Sequence, residues 1–395
     1  MWPSALSDGT PVRELALPER EAQSIGERVR ALHREVMRAV PEVDRVACAL
    51  YDAQSDTLRT FVDSTQHGAR LRAYECPLGD SPSLLRLKEL RQARVIDDIP
   101  SSVRGQAHHS RWLREQGFLS SYTVPLFDGN EFEGALFFDS TRRAVFTPEV
   151  TERLDLYARL VALMVGHEMT AVRSLVGSMH IAREFARLRD VETGAHLERM
   201  ARLARLIARA AAPELGLSDE FVEQVFLFAP LHDVGKIGVP DVLLTKPGRY
   251  TPEERLAMQA HVGLGVRMVD SLVHELGLAG LAGIPVLRNI VAAHHECMDG
   301  SGYPAGLVGE AIPIEARIVA VADVLDALVN RRAYKEAWSV EAALDELDRM
   351  AASGHLDPRC VAQVRPNLAA VNEILGRFQD AQPGLGPAPE PALNA

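Results

Sequence analysis

Of the thirteen histidines in this 395-residue chain, five, His196, His232, His261, His294 and His295, form a set with nearby carboxylates. His196 follows Glu192 by four residues in RDVETGAHLERM, a spacing that on a helix stacks both side chains one turn apart on one face. His232 and Asp233 are adjacent in APLHDVGKIGVPD, behind the apolar run FVEQVFLFAPL. His261 stands alone in MQAHVGLG, His294 and His295 form a second doublet after RNIVAA, and Asp323 lies within the apolar RIVAVADVLDAL. The apolar flanks predict burial, and a buried carboxylate or a pair of buried imidazoles is costly unless it is paired or binds metal. Imidazole nitrogens and carboxylate oxygens suit borderline divalent ions such as iron, manganese or zinc, and no cysteine accompanies them as in a structural sulfur site. A carboxylate such as Asp233 is able to bridge two ions while its neighbour His232 serves one.

Taken singly these residues are commonplace, since a lone histidine such as His261 usually packs a core or a surface and an HD pair often arises by chance. As an ordered set they resemble the HD-GYP phosphodiesterase family over roughly Ile181 to Asp380. The resemblance is carried by Glu192 and His196 in an ETGxH element, HDVGKIGVPD from His232 to Asp241, His261, HHECMDGSGYP from His294 to Pro304, and VADVLDAL from Val321 to Leu328. It implies metal ligation by Glu192, His196, His232, Asp233, His261, His294, His295 and Asp323, with two ions, or three because the Glu192 position is filled. It also implies cyclic di-GMP as the substrate, linearised to pGpG, with a further step to GMP left open.

Phosphodiester cleavage needs an in-line nucleophile and neutralisation of the phosphate charge, and paired metals supply both; a metal-bridging hydroxide is the expected nucleophile. By the same resemblance Lys236 steadies a phosphate oxygen with Asp190 as a nearby polar partner, and Arg332 and Lys335 in NRRAYKEAW hold substrate phosphate. Tyr303, in a turn-rich loop, stands at the pocket edge. Two departures bear on that pocket: Cys297 and Met298 replace the basic residue and tryptophan usual before the DG, and Ala333 stands where proline is usual. The ligand set is untouched by them, so hydrolysis of another cyclic dinucleotide stays open beside cyclic di-GMP, as does a catalytically weak binding or scaffold protein. A guanosine-polyphosphate hydrolase is disfavoured by the GYP loop. The remaining histidines read as packing or surface residues.

The elements that must position this set follow from periodicity and turn chemistry. Ile25, Val29, Leu32 and Val36 recur at helical spacing up to Pro41. Strand-like runs follow at Arg45 to Tyr51 and Thr57 to Val62, then at Ser121 to Phe127 and Gly134 to Asp139 across an Asp128, Gly129, Asn130 turn. This order resembles a GAF sensory domain, which implies an antiparallel sheet flanked by helices and a small ligand of unknown kind. From Thr147 a start signal opens a helix with Leu154, Leu160, Val161, Met164, Met169, Val172, Leu175 and Val176 along it, predicting a long connector that pairs with its twin in a homodimer.

The expected architecture is therefore an α+β GAF-like domain (20–168), a connecting helix (169–188) and an all-α HD-type bundle (189–380), with an N-terminal tail (1–19) and a Pro, Gly and Ala-rich disordered tail (381–395). A net charge of −11 disfavours a nucleic-acid polymer as partner and demands a local cationic site for any anionic substrate. Four scattered cysteines without a CxxC pair predict reduced thiols and a cytoplasmic protein. MWPSALSDGT lacks the pattern of a signal peptide, and Arg159 interrupts the most apolar stretch, so no membrane span is expected.

Overall fold

The computed structural model describes residues 23–66, 70–103, 108–186, 194–246, 248–330 and 337–379. Asp190, Glu192, Arg332 and Lys335, and with them the two expected tails, lie outside the described residues. Helix α1 (Ile25–Ala39) opens on a capping box in which the Ser24 hydroxyl accepts from the Glu27 amide and the Glu27 carboxylate accepts from the Ser24 amide. Strands β1 (Arg45–Asp52), β2 (Thr57–Thr65), β3 (Glu75–Pro77), β4 (Arg94–Ile96), β5 (Ser120–Asp128) and β6 (Glu131–Ser140) form one antiparallel sheet in the order β3-β2-β1-β6-β5-β4.

Strand alternation sends Val46, Cys48, Leu50, Tyr122, Leu136 and Phe138 to the face that α1 covers, in one core cluster. The opposite face carries a cavity of about 460 Å³ lined by Arg45, Arg94, Tyr74, Trp112, Phe137 and Asp139 among others. Arg45 is buried there between two carboxylates, 2.8 Å from Asp63 and 2.5 Å from Asp139. Of the histidines read as packing, His33 is fully buried in this domain, its Nε2 donating to the Val43 carbonyl at 3.1 Å.

Helix α2 (Pro148–Ala186) is 39 residues long and belongs to both halves of the molecule. Leu154, Val161 and Val165 pack into the sheet core, and Val172, Leu175 and Met179 pack into the helical core. The expected single apolar stripe is therefore two faces: Leu160 is exposed, with Leu156 and Leu163, at i, i+4 and i+7 on the side away from the cores. The stretch Pro148–Ile181 has the length and apolar composition of a membrane span, and its buried side is accounted for by the two cores.

The C-terminal half is helical: α3 (Gly194–Leu215), α4 (Asp219–Phe228), α5 (Pro252–Glu275), α6 (Ile284–Ala293), α7 (Ile314–Val329), α8 (Val340–Ala352) and α9 (Leu368–Arg377). Between α4 and α5 the chain forms a 3-10 turn at Val234–Gly238 and a short helix at Asp241–Leu244. The two halves dock through ion pairs that join β2 and β3 to α3 and α4: Arg205 lies 2.5 Å from Glu75 and 2.8 Å from Glu223, and Arg209 lies 2.7 Å from Glu75. The Glu220 carboxylate accepts the first amides of α1, from Ile25 at 2.8 Å and Gly26 at 2.9 Å, satisfying donors a helix start leaves open.

Candidate metal centre

Five segments converge on one buried point. Helix α3 supplies His196 in its first turn, the 3-10 turns after α4 supply His232 and Asp233, α5 supplies His261, the end of α6 supplies His294 and His295, and α7 supplies Asp323. Glycine makes the approach of the HD turn to α5 possible: a Cβ on Gly235 would stand 1.9 Å from the His261 carbonyl oxygen. A larger residue there would push Asp233 away from His261.

The seven ligand candidates among the described residues fall into two groups, Asp233, His261, His294 and His295 in one and His196, His232 and Asp323 in the other, each with its ligand atoms within 4.8 Å of one another. Asp233 stands between them. Its Oδ1 is 3.1 Å from His261 Nε2 and 3.6 Å from His294 Nε2, while its Oδ2 is 3.2 Å from His232 Nε2 and 2.6 Å from Lys236 Nζ.

The ring tautomers follow from the partners. His232, His261 and His294 hold Nδ1 against the carbonyls of Ala229, Met258 and Ile290 at 2.9, 2.8 and 3.0 Å. A carbonyl only accepts, so each Nδ1 carries the proton and each Nε2 presents a lone pair to the centre. The buried Nε2 atoms of His261 and His294 and the buried Oδ1 of Asp233 make no hydrogen bond. Orphaned buried acceptors of this kind are expensive in a folded core, and a divalent cation is the partner that several converging lone pairs share.

The electrostatics agree with that reading. Burial alone would raise the Asp233 carboxyl, but the Lys236 charge and the His232 and His261 imidazoles outweigh it and hold the group well below its ordinary range. Burial lowers His294, and burial reinforced by His294 pushes His295 down to about 2. Both rings are thus neutral, the form that ligates metal.

Tyr303 stacks on His295 with ring centroids 4.6 Å apart, at the edge of the centre. Its loop is held from below by Glu296, a buried carboxylate that accepts from the amides of Ala305 at 2.7 Å and Leu307 at 2.9 Å. A Cβ on Gly302 would meet the Cys297 nitrogen at 2.3 Å, which fixes glycine at that turn. Met298 packs with Ala293, Ile312 and Ala316 beneath the loop, so the departure at this position falls in a small apolar cluster.

Lys236 has Asp233 at 2.6 Å, and Asp190, expected beside it, lies outside the described residues. Sequence reasoning missed Asp326, whose Oδ2 accepts from His196 Nδ1 at 2.7 Å, and Arg199, whose Nε donates to Asp326 Oδ1 at 2.5 Å. The signal was present: Asp326 lies three residues after Asp323 inside the same apolar helix, and the cost of burying a carboxylate applies to both.

Comparison with known proteins assigns the two halves. Residues 25–165 match the GAF domain and residues 190–360 match the HD domain. The chain therefore carries a GAF domain followed by an HD domain. Over 200 residues it is 47% identical to the cyclic di-GMP phosphodiesterase response regulator RpfG of Xanthomonas campestris, covering 50% of this chain and 50% of that protein. It is 41% identical over 174 residues to the 3'3'-cGAMP-specific phosphodiesterase 2 of Vibrio cholerae, covering 44% of this chain and 31% of that one. The chain spans about half the length of the curated relatives it matches. Among solved structures, the GAF domain/HD domain protein from Geobacter sulfurreducens is 18% identical, with 37% of this chain and 95% of that chain covered and a TM-score of 0.31.

Proposed function

We propose that the HD domain is a metal-dependent phosphodiesterase that opens cyclic di-GMP to pGpG, with a further step to GMP left open. The observation that carries this reading is the Asp233 carboxylate, set with one oxygen toward each of two His/Asp groups. Glu192, His196, His232, Asp233, His261, His294, His295 and Asp323 would hold two or three ions, of iron or manganese in first place and zinc as a substitute. Such ions supply Lewis acidity toward a phosphate oxygen and lower the pKa of a water. The chain's own part is to bind and orient the substrate: Lys236 at a phosphate oxygen with Asp190 beside it, Arg332 and Lys335 at phosphate, and Tyr303 against a base or ribose at the rim.

A mixed GMP and AMP ring is the second reading, favoured by the relative named for 3'3'-cGAMP and by Cys297 and Met298 in the loop below Tyr303. The test is anaerobically purified protein given cyclic di-GMP and the mixed ring in parallel, with products separated over time. Faster conversion of cyclic di-GMP to pGpG supports the first reading, and conversion of neither ring contradicts both.

The GAF domain would modulate this activity. Its 460 Å³ cavity has the size of a small-molecule site and mixes apolar walls with Arg94 and Asp139. Exposed Leu156, Leu160 and Leu163 on α2 give a seam suited to a homodimer, and four free thiols suit a reducing compartment such as the cytoplasm.

A further inference from the structure

His196 is held differently from His232, His261 and His294, the other ligand candidates whose Nδ1 contacts are described. Those three lean on carbonyls of their own preceding turns, whereas His196 leans on a side chain brought from α7. That side chain, Asp326, is itself clamped. Its Oδ1 accepts from Arg199 Nε at 2.5 Å and Asn330 Nδ2 at 2.9 Å, and its Oδ2 accepts from Arg199 Nη2 at 3.2 Å. Arg199 is 1% exposed and donates through Nη1 to the Phe378 carbonyl at 2.8 Å.

The clamp continues outward to the other domain. The Arg202 guanidinium lies 4.6 Å over the Phe378 ring, 3.0 Å from Asp52 Oδ2 and 2.7 Å from Gln54 Oε1. Arg377 donates to the Gln54 carbonyl. Asp52 ends β1 and Gln54 lies in the turn between β1 and β2 of the GAF domain. Since α3 carries His196, Arg199 and Arg202 in successive turns, a shift of that turn bears on the helix that presents His196. The rings of His261 and His294 are fixed by carbonyls within the HD domain, and the turn after Asp233 meets the shared helix α2 rather than the GAF β1–β2 turn.

We propose that Asp326, clamped by Arg199, is the positioning residue of His196, and that the GAF β1–β2 turn bears on this clamp through Arg202 and Phe378. The sensory domain thereby sets the metal affinity of the group at His196, His232 and Asp323 and leaves the group at Asp233, His261, His294 and His295 unchanged. This rests on reading the two groups as metal positions. A partner that orients a ligating histidine is commonly worth about 10- to 100-fold in metal affinity.

Full-length protein stripped of metal and titrated with Mn²⁺ by calorimetry tests it. The wild type should take up at least two resolvable equivalents. Asp326→Asn should weaken one of them by about 10- to 100-fold and leave the other in place. Arg202→Ala, which spares every residue touching the ions, should weaken the same equivalent by about 5-fold or more. In a His196→Ala background, which lacks that equivalent, neither change should move what remains. If Asp326→Asn does not fold by circular dichroism, Arg202→Ala and Gln54→Ala carry the test alone. Equal weakening of both equivalents, or unaltered binding in Arg202→Ala, overturns the proposal. A wild type that binds a single equivalent overturns the two-position reading first and the proposal with it.

Discussion

Lys236 and Asp233 form the pair through which charge at the centre is balanced, with 2.6 Å between ammonium and carboxylate. The lysine is 24% exposed at its side chain and the carboxylate 8%, so the ammonium sits at the mouth, where an incoming phosphate would meet it. Lys236→Ala should leave the metal content as it is and lower turnover by about 10- to 1000-fold, the range of a lost electrostatic contact to developing phosphate charge. Atomic absorption and a saturating-substrate rate measure the two halves of that statement; an unchanged rate would leave Lys236 as a salt-bridge partner only. At this scale the sequence was most informative. A histidine or an aspartate in an apolar run is conspicuous because burial is expensive, and all seven ligand candidates that the structure describes do converge. The residues that hold the ligands were less visible: an arginine such as Arg199 looks like any helix-surface charge until Asp326, 127 positions away, is found against it.

Among the elements, the loop from His294 to Pro304 depends on a carboxylate that no motif singles out. Glu296 is buried and binds two backbone amides, and hydrogen bonds to a charged group are worth about 1.5 to 3 kcal/mol each. Glu296→Ala should therefore loosen the loop bearing Tyr303, raising KM for the cyclic dinucleotide and lowering Tm while the metal content stays the same. Steady-state kinetics with a thermal melt would show it, and an unchanged KM would mean that Tyr303 does not meet substrate. Strands and hairpins were legible because alternation and the Gly129 and Asn130 turn are local signals. Helix α2 was misread in part, since a run rich in leucine does not say which leucines face the core: Leu154 is buried, and Leu160, six positions on, is exposed. The 3-10 turn at Val234–Gly238 is not legible from sequence, because its glycines serve close packing against α5 and not flexibility.

Across the whole molecule, the two domains share a helix and a polar seam, and the two features carry different consequences. The outer face of α2, with Leu156, Leu160 and Leu163 exposed at 62%, 41% and 69%, has the spacing of a two-helix seam. The double change Leu160→Lys, Leu163→Lys should turn a dimer into a monomer by light scattering without altering metal content, because neither side chain enters a core; a wild type already monomeric would contradict the dimer. The seam between β3 and α3 could not be read from sequence. Arg205 and Glu75 are 130 residues apart, and both belong to composition that elsewhere covers solvated surface. The central claim, that Asp233 is shared by two metal positions that do the chemistry, has its most direct test in the metal content of anaerobically purified wild type and Asp233→Ala, each paired with its rate on cyclic di-GMP. The account predicts at least two transition-metal ions per chain and measurable conversion to pGpG in the wild type, with both ions and the activity lost in the variant. Full metal occupancy in Asp233→Ala, or wild-type conversion that persists after complete removal of metal, would contradict it.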